Sequence, residues 1–447
     1  MNVCLITLGC PKNTVEGESI AGLLKGHGYG LTTDISVADA AIVHTCSFIA
    51  DARDESSQFI KALTRLRRKG SLQKLIVSGC MGQEMGKKII AAFPGVDSVI
   101  GTGELERLPE LLAGGPMVIE TSPGGLLETS SPRLLSSLLP STYLRIAEGC
   151  SHRCSFCLIP SLRGPYRSRT MESILKEAAS LSGQGIEELN LISQDITFYG
   201  KDRYGTFSLP GLLKKMVKVK GLRWIRLLYA YPAYSGGAGS LLHDILEVMK
   251  AEQKICRYLD IPLQHVQKDI LKSMNRSANG RDAIRMMKEF MPELSLRTTF
   301  IVGFPGEKDR HFKELCEFVA EGWFDNLGVF EYSPHPALKS ASLPGKVPAA
   351  VTSERRKELM LIQKKVAAKK NKQHRGNDIE VLVESALQGV NVRGLKGQLW
   401  SGRASFQAPE IDGRIIFSGS ARTTRAGSFV RVRLTGSQGY DLIGNKL

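Results

Sequence analysis

The sequence predicts an α/β protein with an N-terminal parallel αβα sheet domain, a central (β/α)6 partial TIM barrel and a small C-terminal all-β barrel. The chain has 447 residues, too many for a single hydrophobic core. Short apolar strands alternate with helical stretches in two series, and a segment rich in Ser, Pro and Gly separates the two. From Asp378 onward only short strands with glycine turns remain. These three observations predict the fold class.

Residues 1–114 are predicted to form the first domain. Strands and helices alternate there at a pitch that indicates a parallel sheet with helices packed on it. The predicted strands are Val3–Leu8, Ala40–Thr45 and Lys74–Ser78, and the predicted helices are Ser19–His27, Asp51–Arg68 and Gly86–Phe93. Residues 115–140 are predicted to be a linker, because Pro, Ser and Gly recur throughout.

Residues 141–352 are predicted to form the barrel, because the alternation resumes at a longer pitch for six βα repeats. The predicted strands are Tyr143–Ala147, Glu188–Ser193, Arg223–Leu228, Arg257–Ile261, Ser295–Val302 and Leu327–Tyr332. Among the predicted helices between them are Met171–Ser182, Leu241–Ala251 and His311–Gly322. The active site of such a barrel is expected at the carboxyl ends of its strands.

A basic helix over residues 353–376 is predicted to connect the barrel to a β-module at residues 377–447. The helix is rich in Lys and Arg, which is typical of a solvated face and also suits contact with phosphates. The module's predicted strands are Ile379–Glu384, Gly397–Ala404, Arg414–Phe417, Phe429–Leu434 and Tyr440–Ile443. Small barrels of this kind often bind nucleic acid or extended peptide.

The net charge of +16 favours an anionic partner such as RNA, a ribosome or another acidic surface, although plain solubility explains it equally. The N-terminal stretch Met1–Ile6 has no basic region or cleavage site and is typical of a strand. No apolar run is long enough to cross a membrane. We therefore expect a cytoplasmic protein, where clustered cysteines more often indicate metal or catalysis than disulfides.

Cys150, Cys154 and Cys157 have the spacing CxxxCxxC directly after the first predicted barrel strand. Three thiolates so spaced can hold three irons of a 4Fe-4S cluster and leave the fourth iron open to a small molecule. A zinc knuckle and a disulfide are the alternatives. Zinc usually takes a fourth Cys or His, and His152 lies inside the loop, where it is badly placed to complete such a site.

Cys10, Cys46 and Cys80 each follow a different predicted strand of the first domain. The carboxyl ends of parallel strands share one edge of the sheet, where ligands bind, so these thiols are predicted to converge on a second cluster. Gly9 and Gly79 precede two of them and suit tight turns. The alternative is three unrelated buried thiols. Cys4, Cys256 and Cys316 are interpreted as structural.

The CxxxCxxC motif with an aromatic residue before its last cysteine resembles the radical S-adenosylmethionine enzymes. The three-cysteine domain before it and the β-module after it narrow the resemblance to the methylthiotransferases, over nearly the whole chain. Several segments resemble the branch that modifies a ribosomal protein (the RimO type): Gly9–Asn13, Gln194–Gly200, Asp260–His265 and Ala408–Gly413. The tRNA branch typically has Gly-Cys-Gln-Met-Asn at the first of these segments.

The resemblance implies two 4Fe-4S clusters and S-adenosyl-L-methionine as cofactors. Cys150, Cys154 and Cys157 would hold the catalytic cluster that cleaves S-adenosylmethionine to a 5'-deoxyadenosyl radical. Cys10, Cys46 and Cys80 would hold a second cluster that carries the sulfur, and a second S-adenosylmethionine would supply the methyl group. The implied substrate is the β-carbon of an aspartate on the twelfth small-subunit ribosomal protein, held with help from a C-terminal module of the TRAM type. An electron-donor protein is a further expected partner.

Three residues are expected near the cofactor. Phe156 is expected beside the adenine, although a core position is equally compatible with it. Gln194 ends a barrel strand, and Gly303 begins a turn that either lies along the cofactor or is an ordinary βα turn. Arg163 and Arg169 follow the cysteine loop and suit a substrate carboxylate, since Arg binds carboxylates bidentately, although surface ion pairing is the commoner use.

The chain departs from the family pattern at Thr14–Glu18, at Ile196 and at Tyr332–Lys339, where an acidic Gly-Thr stretch is missing. The last departure concerns contacts to the substrate rather than the clusters. Three functions are therefore considered: a ribosomal-protein aspartate methylthiotransferase, a tRNA adenosine methylthiotransferase, and a non-catalytic iron–sulfur RNA-binding protein. The predicted convergence of three strand-end cysteines, together with the CxxxCxxC motif, argues against the third.

Overall fold

The computed structural model describes residues 1–119, 123, 133–137, 139–232, 240–276 and 280–447. Half of the linker predicted at 115–140 lies outside these residues. Strands are labelled β1–β19 and helices α1–α14 in chain order.

The first domain contains a six-stranded parallel sheet in the order β2-β1-β3-β4-β5-β6. Its strands are Asn2–Thr7 (β1), Gly30–Thr32 (β2), Ala40–Thr45 (β3), Lys74–Gly79 (β4), Ser98–Ile100 (β5) and Val118–Ile119 (β6). Its helices are Pro11–Gly26 (α1), Ala50–Arg68 (α2), Cys80–Met85 (α3), Lys88–Ala92 (α4) and Leu108–Leu112 (α5). Alternate strand residues face opposite sides: Val43 and Val77 pack on the α2 side, and Ile42 and Ile76 pack on the α1 side.

The predicted αβα sheet is confirmed, with three differences in detail. Helix α1 begins at Pro11 rather than Ser19, because Cys10 is extended and a proline suits the first helical position. The helix predicted at Gly86–Phe93 is shorter and spans Lys88–Ala92, since Gly86 has a φ of +49° and ends the preceding helix α3. The sheet continues to Ile119, beyond the predicted domain end at residue 114.

The central part is an open arc of six parallel strands in the order β14-β13-β12-β11-β10-β7, which confirms the partial barrel. The strands are Ser141–Arg145 (β7), Ala147–Glu148 (β8), Arg167–Ser168 (β9), Glu188–Ile192 (β10), Trp224–Leu227 (β11), Ile255–Asp260 (β12), Ser295–Val302 (β13) and Asn326–Glu331 (β14). Strands β8 and β9 form a separate antiparallel pair. The helices are Ile159–Arg163 (α6), Met171–Gly183 (α7), Lys201–Tyr204 (α8), Leu209–Met216 (α9), Leu241–Ala251 (α10), Lys268–Ser273 (α11), Gly280–Phe290 (α12) and Asp309–Ala320 (α13).

The connecting helix α14 spans Ala349–Gln373 and begins four residues before the predicted start at 353, because Pro348 precedes its first turn. Its basic side chains do not all face solvent. Arg355 is buried against Glu307, whereas Lys364 and Lys369 are exposed. One face of the helix therefore packs on the barrel and the other remains a basic surface.

The C-terminal part is a closed five-stranded barrel in the order β15-β16-β17-β19-β18, as predicted. Its strands are Asp378–Leu387 (β15), Leu399–Arg403 (β16), Ile415–Ser418 (β17), Phe429–Gln438 (β18) and Asp441–Lys446 (β19). Closure leaves no long unpaired strand edge exposed.

The inner face of the open arc is covered by the other two parts of the chain. Tyr143 and Tyr258 of the arc pack with Val15 of α1 and Leu382 of β15 in one buried cluster. The first domain thereby contacts the arc with the side of its sheet that carries Cys10, Cys46 and Cys80. Among the helices of the described ranges, none has the length and apolarity needed to span a bilayer.

Candidate functional site

The loop with Cys150, Cys154 and Cys157 is anchored at both ends. The Cys150 amide donates to the Gly164 carbonyl at 3.0 Å, and the Ser155 amide donates to the Met274 carbonyl at 3.0 Å. Gly149 has a φ of +79°, and a β-carbon there would lie 2.1 Å from the Pro165 carbonyl oxygen. The loop therefore enters through a turn that only glycine fits, and the three thiols are half-buried at the strand carboxyl ends.

Burial and mutual repulsion control the charge of these thiols. Burial raises the pKa of Cys150 and of Cys157 to about 12, and the neighbouring cysteines add to the rise. Arg276 opposes it: its guanidinium lies 3.7 Å from the Cys154 sulfur and 4.4 Å from the centre of the Tyr231 ring. Thiols that are costly to ionise on their own become thiolates when they coordinate a metal.

His152 lies inside the loop, and its ring contacts Asp195 and Tyr231. Its Nε2 atom is 2.7 Å from the Asp195 carboxylate, and its ring stacks on Tyr231 with a centroid separation of 3.8 Å. These contacts direct the imidazole away from the role of a fourth metal ligand.

Cys10, Cys46 and Cys80 follow β1, β3 and β4, which are neighbours in the sheet. The chain passes from β1 outward to β2 and returns on the other side to β3, so β1 and β3 flank the switch point where such sheets bind ligands. The Gly9 and Gly79 turns have φ values of +96° and +88°. A β-carbon on Gly9 would lie 2.4 Å from the Cys46 β-carbon, so the turn brings Cys10 close to Cys46.

The thiols of this second triad are near enough to influence one another. Burial raises the pKa of Cys80 to about 12, Arg163 opposes the rise, and Cys46 and Cys10 add to it. Burial likewise raises the pKa of Cys46, with Cys10 as the next cause. The structure therefore brings together the three strand-end cysteines that are 70 residues apart in sequence, from Cys10 to Cys80.

Arg163 connects the two triads. It ends α6, directly after the barrel's cysteine loop, and its Nη2 atom lies 3.4 Å from the Cys80 sulfur in the first domain. The same guanidinium pairs with Glu16 of α1. Cys80 also packs on Leu158, the residue after Cys157. The edge of the first sheet therefore faces the barrel's cysteine loop.

The expectation that Arg163 and Arg169 meet a substrate carboxylate is not supported. Arg163 is buried against Glu16, and Arg169 pairs with Glu177 and donates to the Arg145 carbonyl at 2.8 Å. Both cations are satisfied inside the protein, since buried charges require partners. These pairings were not predicted, because they depend on how α1 and α7 pack against the loop rather than on a local motif.

In the described ranges, the three sulfur atoms of neither triad all lie within 4.8 Å of one another. Tetrahedral zinc holds its sulfur ligands about 3.8 Å apart. In the described ranges, the one group of at least three Cys, His or acidic residues whose ligand atoms lie within 4.8 Å of one another is His243, Asp244 and Glu247, and neither cysteine triad is such a group. A cubane of iron and sulfide is wider than one ion and suits thiols that are near but not touching.

Unsatisfied polar atoms lie at the ends of the barrel strands. Gln194 Oε1, Asp260 Oδ1 and Gln264 Oε1 are buried and have no hydrogen-bond partner among the described residues. Buried polar groups are normally paired, so these three mark a place where a polar ligand is expected. Burial raises the pKa of Asp260 to about 6, Arg297 opposes this and Asp412 adds to it.

Backbone strain is concentrated at the same place. In the described part of the chain, four residues other than glycine have a positive φ: Tyr229, Gln264, Asn275 and Glu410. Tyr229 and Gln264 follow barrel strands, and Asn275 donates to the Arg153 carbonyl of the cysteine loop at 2.7 Å. Strained conformations of this kind cluster at functional sites.

The residues predicted to bind the cofactor have different surroundings. Phe156 packs edge-on against Phe304, at 6.4 Å between ring centres. Gln194 donates to Glu148 at 2.5 Å and leaves its carbonyl oxygen free among the described residues. Gly303 has a φ of +74°, and a β-carbon there would lie 2.2 Å from the Thr352 hydroxyl oxygen, so its small size is required by the packing of α14. Their cofactor roles remain predictions.

A cavity of about 220 Å³ lies behind the Gly303 turn. Pro305, Tyr332 and Thr352 are among its lining residues, and no cysteine lines it. It is separate from the two triads and does not extend the site.

Two residues near the triads were not singled out for a role from the sequence. Lys12 lies on α1 two residues after Cys10, and Tyr229 follows β11. Lys12 belongs to the segment Gly9–Asn13 that carries the family resemblance. No sequence pattern marks Tyr229, because its position at the strand ends depends on a backbone conformation with positive φ that only the structure shows.

Known families match three parts of the chain. The uncharacterized protein family UPF0004 matches residues 2–101, the radical SAM superfamily matches residues 144–319, and the TRAM domain matches residues 376–446.

The similarity to whole proteins covers almost the full length. The chain is 44% identical to the ribosomal protein uS12 methylthiotransferase RimO of Endomicrobium trichonymphae, over 98% of this chain and 97% of that protein. It is 41% identical to the protein of the same name from Pelotomaculum thermopropionicum, over 99% of each. Among solved structures, the radical S-adenosylmethionine methyltransferase TsrM from Kitasatospora setae has a TM-score of 0.54 at 15% identity, covering 76% of this chain and 74% of that one. At this identity the last similarity concerns the fold alone.

Proposed function

The chain belongs to the RimO family of ribosomal protein uS12 methylthiotransferases, and from that premise we propose that it inserts a methylthio group at the β-carbon of an aspartate of uS12. It is a radical S-adenosylmethionine transferase that uses an iron–sulfur cluster. We further propose two 4Fe-4S clusters, one on each cysteine triad. The contact between Arg163 and the Cys80 sulfur carries this proposal, since Arg163 follows the barrel's cysteine loop and Cys80 belongs to the first domain's triad.

Each triad fits a cluster on its own chemistry. Cys150, Cys154 and Cys157 would hold one, and Cys10, Cys46 and Cys80 would hold the other; three thiolates leave one iron of each cluster without a protein ligand. When bound, the cofactors supply a radical that can remove hydrogen from an unactivated carbon.

The chain's own residues position and shield that chemistry. The unpaired oxygens of Gln194, Asp260 and Gln264 are available to hold a polar ligand at the strand ends. Arg276 lies against the Cys154 sulfur and supplies a positive charge beside the thiolates. The first domain and the C-terminal barrel cover the inner face of the arc, which limits the access of water. Phe156 and Gly303 are proposed to lie beside the cofactor.

Partners beyond uS12 are also proposed. An electron-donor protein is needed because no side chain of the chain supplies the electron that splits a sulfonium. The exposed Lys and Arg residues of α14 would contact the ribosome or RNA. A substrate that belongs to the ribosome implies action in the cytoplasm.

The mass of uS12 from cells with and without this gene tests the substrate. We expect a methylthio increment that disappears on deletion. An unchanged uS12 mass with loss of methylthioadenosine from tRNA would select the tRNA activity instead. A purified, reduced protein that forms no 5'-deoxyadenosine from S-adenosylmethionine would select the non-catalytic interpretation.

Single cysteine variants test the two-cluster assignment. Cys154→Ala is expected to abolish 5'-deoxyadenosine formation and to lower bound iron by about half, because only one triad is broken. Cys80→Ala is expected to lower iron equally but to retain 5'-deoxyadenosine formation without methylthio product. Cys316→Ala is the control, since that thiol is buried in α13 outside both triads. If Cys154→Ala removed all iron, the assignment of separate clusters would be wrong.

A further inference from the structure

Lys12 lies beside the Cys10 triad, and among the described residues no carboxylate is within ion-pair distance of its ammonium group. It lies two residues after Cys10, near the start of α1, and its Nζ atom is 3.2 Å from the centre of the Tyr229 ring. Tyr229 follows β11 of the barrel, so the side chain crosses from the first domain to the barrel's strand ends. The residue is half-buried.

No described residue forms an ion pair or a hydrogen bond with the Lys12 ammonium group. Burial lowers the pKa of Lys12, and Cys10, Glu148 and Asp260 oppose this without forming an ion pair with it. Glu148 is occupied by Arg145, and Asp260 Oδ2 accepts from the Tyr229 amide at 3.3 Å. The nearby Arg163, in contrast, is ion-paired within the protein. An ammonium group that is partly desolvated, lies over an aromatic ring and has no paired carboxylate among the described residues favours an anionic ligand.

From this position we propose that Lys12 binds the side-chain carboxylate of the substrate aspartate and so determines specificity for aspartate. The inference rests on the proposed function and deepens it. A carboxylate oxygen in a charge-assisted hydrogen bond lies about 2.8 Å from the ammonium nitrogen. The β-carbon is bonded directly to the carboxyl carbon, so it would then lie roughly 4 Å from Nζ, beside the Cys10 triad. One contact thus selects the residue and places the carbon that reacts.

A second carboxylate is present in the reaction, that of S-adenosylmethionine. Lys12 belongs to the first domain and adjoins Cys10, whereas the cofactor is assigned to the open iron of the barrel's triad. This placement favours the substrate's carboxylate, and the cofactor's carboxylate is tested as the competing outcome.

The test compares binding of two uS12 peptides to the cluster-loaded enzyme, one with the modified aspartate and one with Asn in its place. Calorimetry on the unaltered enzyme is expected to show the Asp peptide bound 10- to 100-fold more tightly, as for a hydrogen bond to a charged group. Lys12→Met, which keeps a long unbranched side chain, is expected to lower the affinity for the Asp peptide by about the same factor. It should change binding of the Asn peptide by less than about twofold.

Control variants separate charge from packing. Lys12→Arg keeps the cation and is expected to retain most of the discrimination between peptides. Lys250→Met is the matched control, because the Lys250 ammonium also lies over a ring, that of Phe290 at 4.7 Å, but on the outer helix α10. It should leave both peptides unaffected.

Several results would overturn the inference. If the unaltered enzyme bound the two peptides equally, the inference would be wrong without recourse to any variant. It would also be wrong if Lys12→Met lowered the affinity for both peptides equally. Weaker binding of S-adenosylmethionine in Lys12→Met would assign the cation to the cofactor instead. Methylthiolation of uS12 by the unaltered enzyme keeps the two questions apart: if it occurs and the peptides are not distinguished, only the role of Lys12 is wrong.

Discussion

Replacing Glu188 by Gln should separate the C-terminal barrel from the central arc. Glu188 begins β10, and its Oε1 atom accepts from Arg403 of β16 at 2.7 Å and from Arg226 of β11 at 3.0 Å. The Glu188, Arg226 and Arg403 side chains are 0%, 0% and 3% exposed. Neutralising the carboxylate leaves the buried Arg226 guanidinium without an anion and leaves Arg403 with Glu384 alone, and breaking a buried ion pair destabilises a protein by about 3–5 kcal/mol.

The pKa of Glu188 gives a similar estimate of the stability that this ion pair contributes. Burial alone would raise this pKa, but Arg403 and Arg226 outweigh it and lower the pKa from 4.5 to about 2. A difference of this size corresponds to about 3 kcal/mol of stability. Because the folded-state pKa is depressed, the stabilisation is fully present above about pH 4.5 and is lost as the pH falls toward 2.

The assay is urea unfolding followed by tryptophan fluorescence at pH 7 and at lower pH. Trp224 reports on the interface because its ring lies edge-on to Phe429 of β18, at 4.9 Å between centres. Glu380→Gln is the matched control. The pair between Arg223 and Glu380 joins the same two parts of the chain but is 43% and 37% exposed, so its loss should cost less than about 1 kcal/mol.

Two results would refute the reasoning. One is a Glu188→Gln variant no less stable at pH 7 than the Glu380→Gln variant. The other is a difference between Glu188→Gln and the unaltered protein that stays constant as the pH falls below 4.5, because the unaltered protein should lose its advantage there.

Three further substitutions follow from the backbone and from Asp260. Gly303→Ala places a β-carbon 2.2 Å from the Thr352 hydroxyl oxygen at a φ of +74°, and should lower stability by about 2 kcal/mol in thermal unfolding; Thr352→Ala should restore part of it. Burial raises the pKa of Asp260 to about 6, so the ionised carboxylate destabilises the folded protein. Asp260→Asn should therefore raise the free energy of unfolding by about 3 kcal/mol at pH 8 and by almost nothing at pH 4, as measured from unfolding midpoints. Gly9→Ala should lower bound iron by about half, whereas Gly28→Ala, with a φ of +82° and open space around it, should leave iron unchanged.

The arrangement of the cysteines was accessible from the sequence because it depends on local order. Cys46 and Cys80 directly follow buried strands whose bounds the apolar pattern predicts to within a residue. Parallel strands end at one edge, so the position after a strand predicts convergence without knowledge of the strand order. The family resemblance rests on the same short motifs.

Helix starts and ends were less accessible. The sequence around Thr14–Glu18 has mixed polarity, so the first two turns of α1 were not recognised. These turns are buried against the barrel, and contacts with another domain stabilise them more than their own propensity does. The same contacts determine that Glu16 and Arg145 form a buried ion pair across 129 positions of sequence.

The sequence by itself determined the three-part fold, the six cysteines expected to bind iron and the family. Each of these depends on periodicity or spacing within a few tens of residues. The tertiary structure alone decided that Arg163 pairs across the domain junction and that Glu188 holds the C-terminal barrel against the arc. It also decided that Lys12 lies over the Tyr229 ring with no ion-pair partner among the described residues. Whether a charge is paired depends on which groups meet it from distant parts of the chain, and that information exists only once the chain has folded.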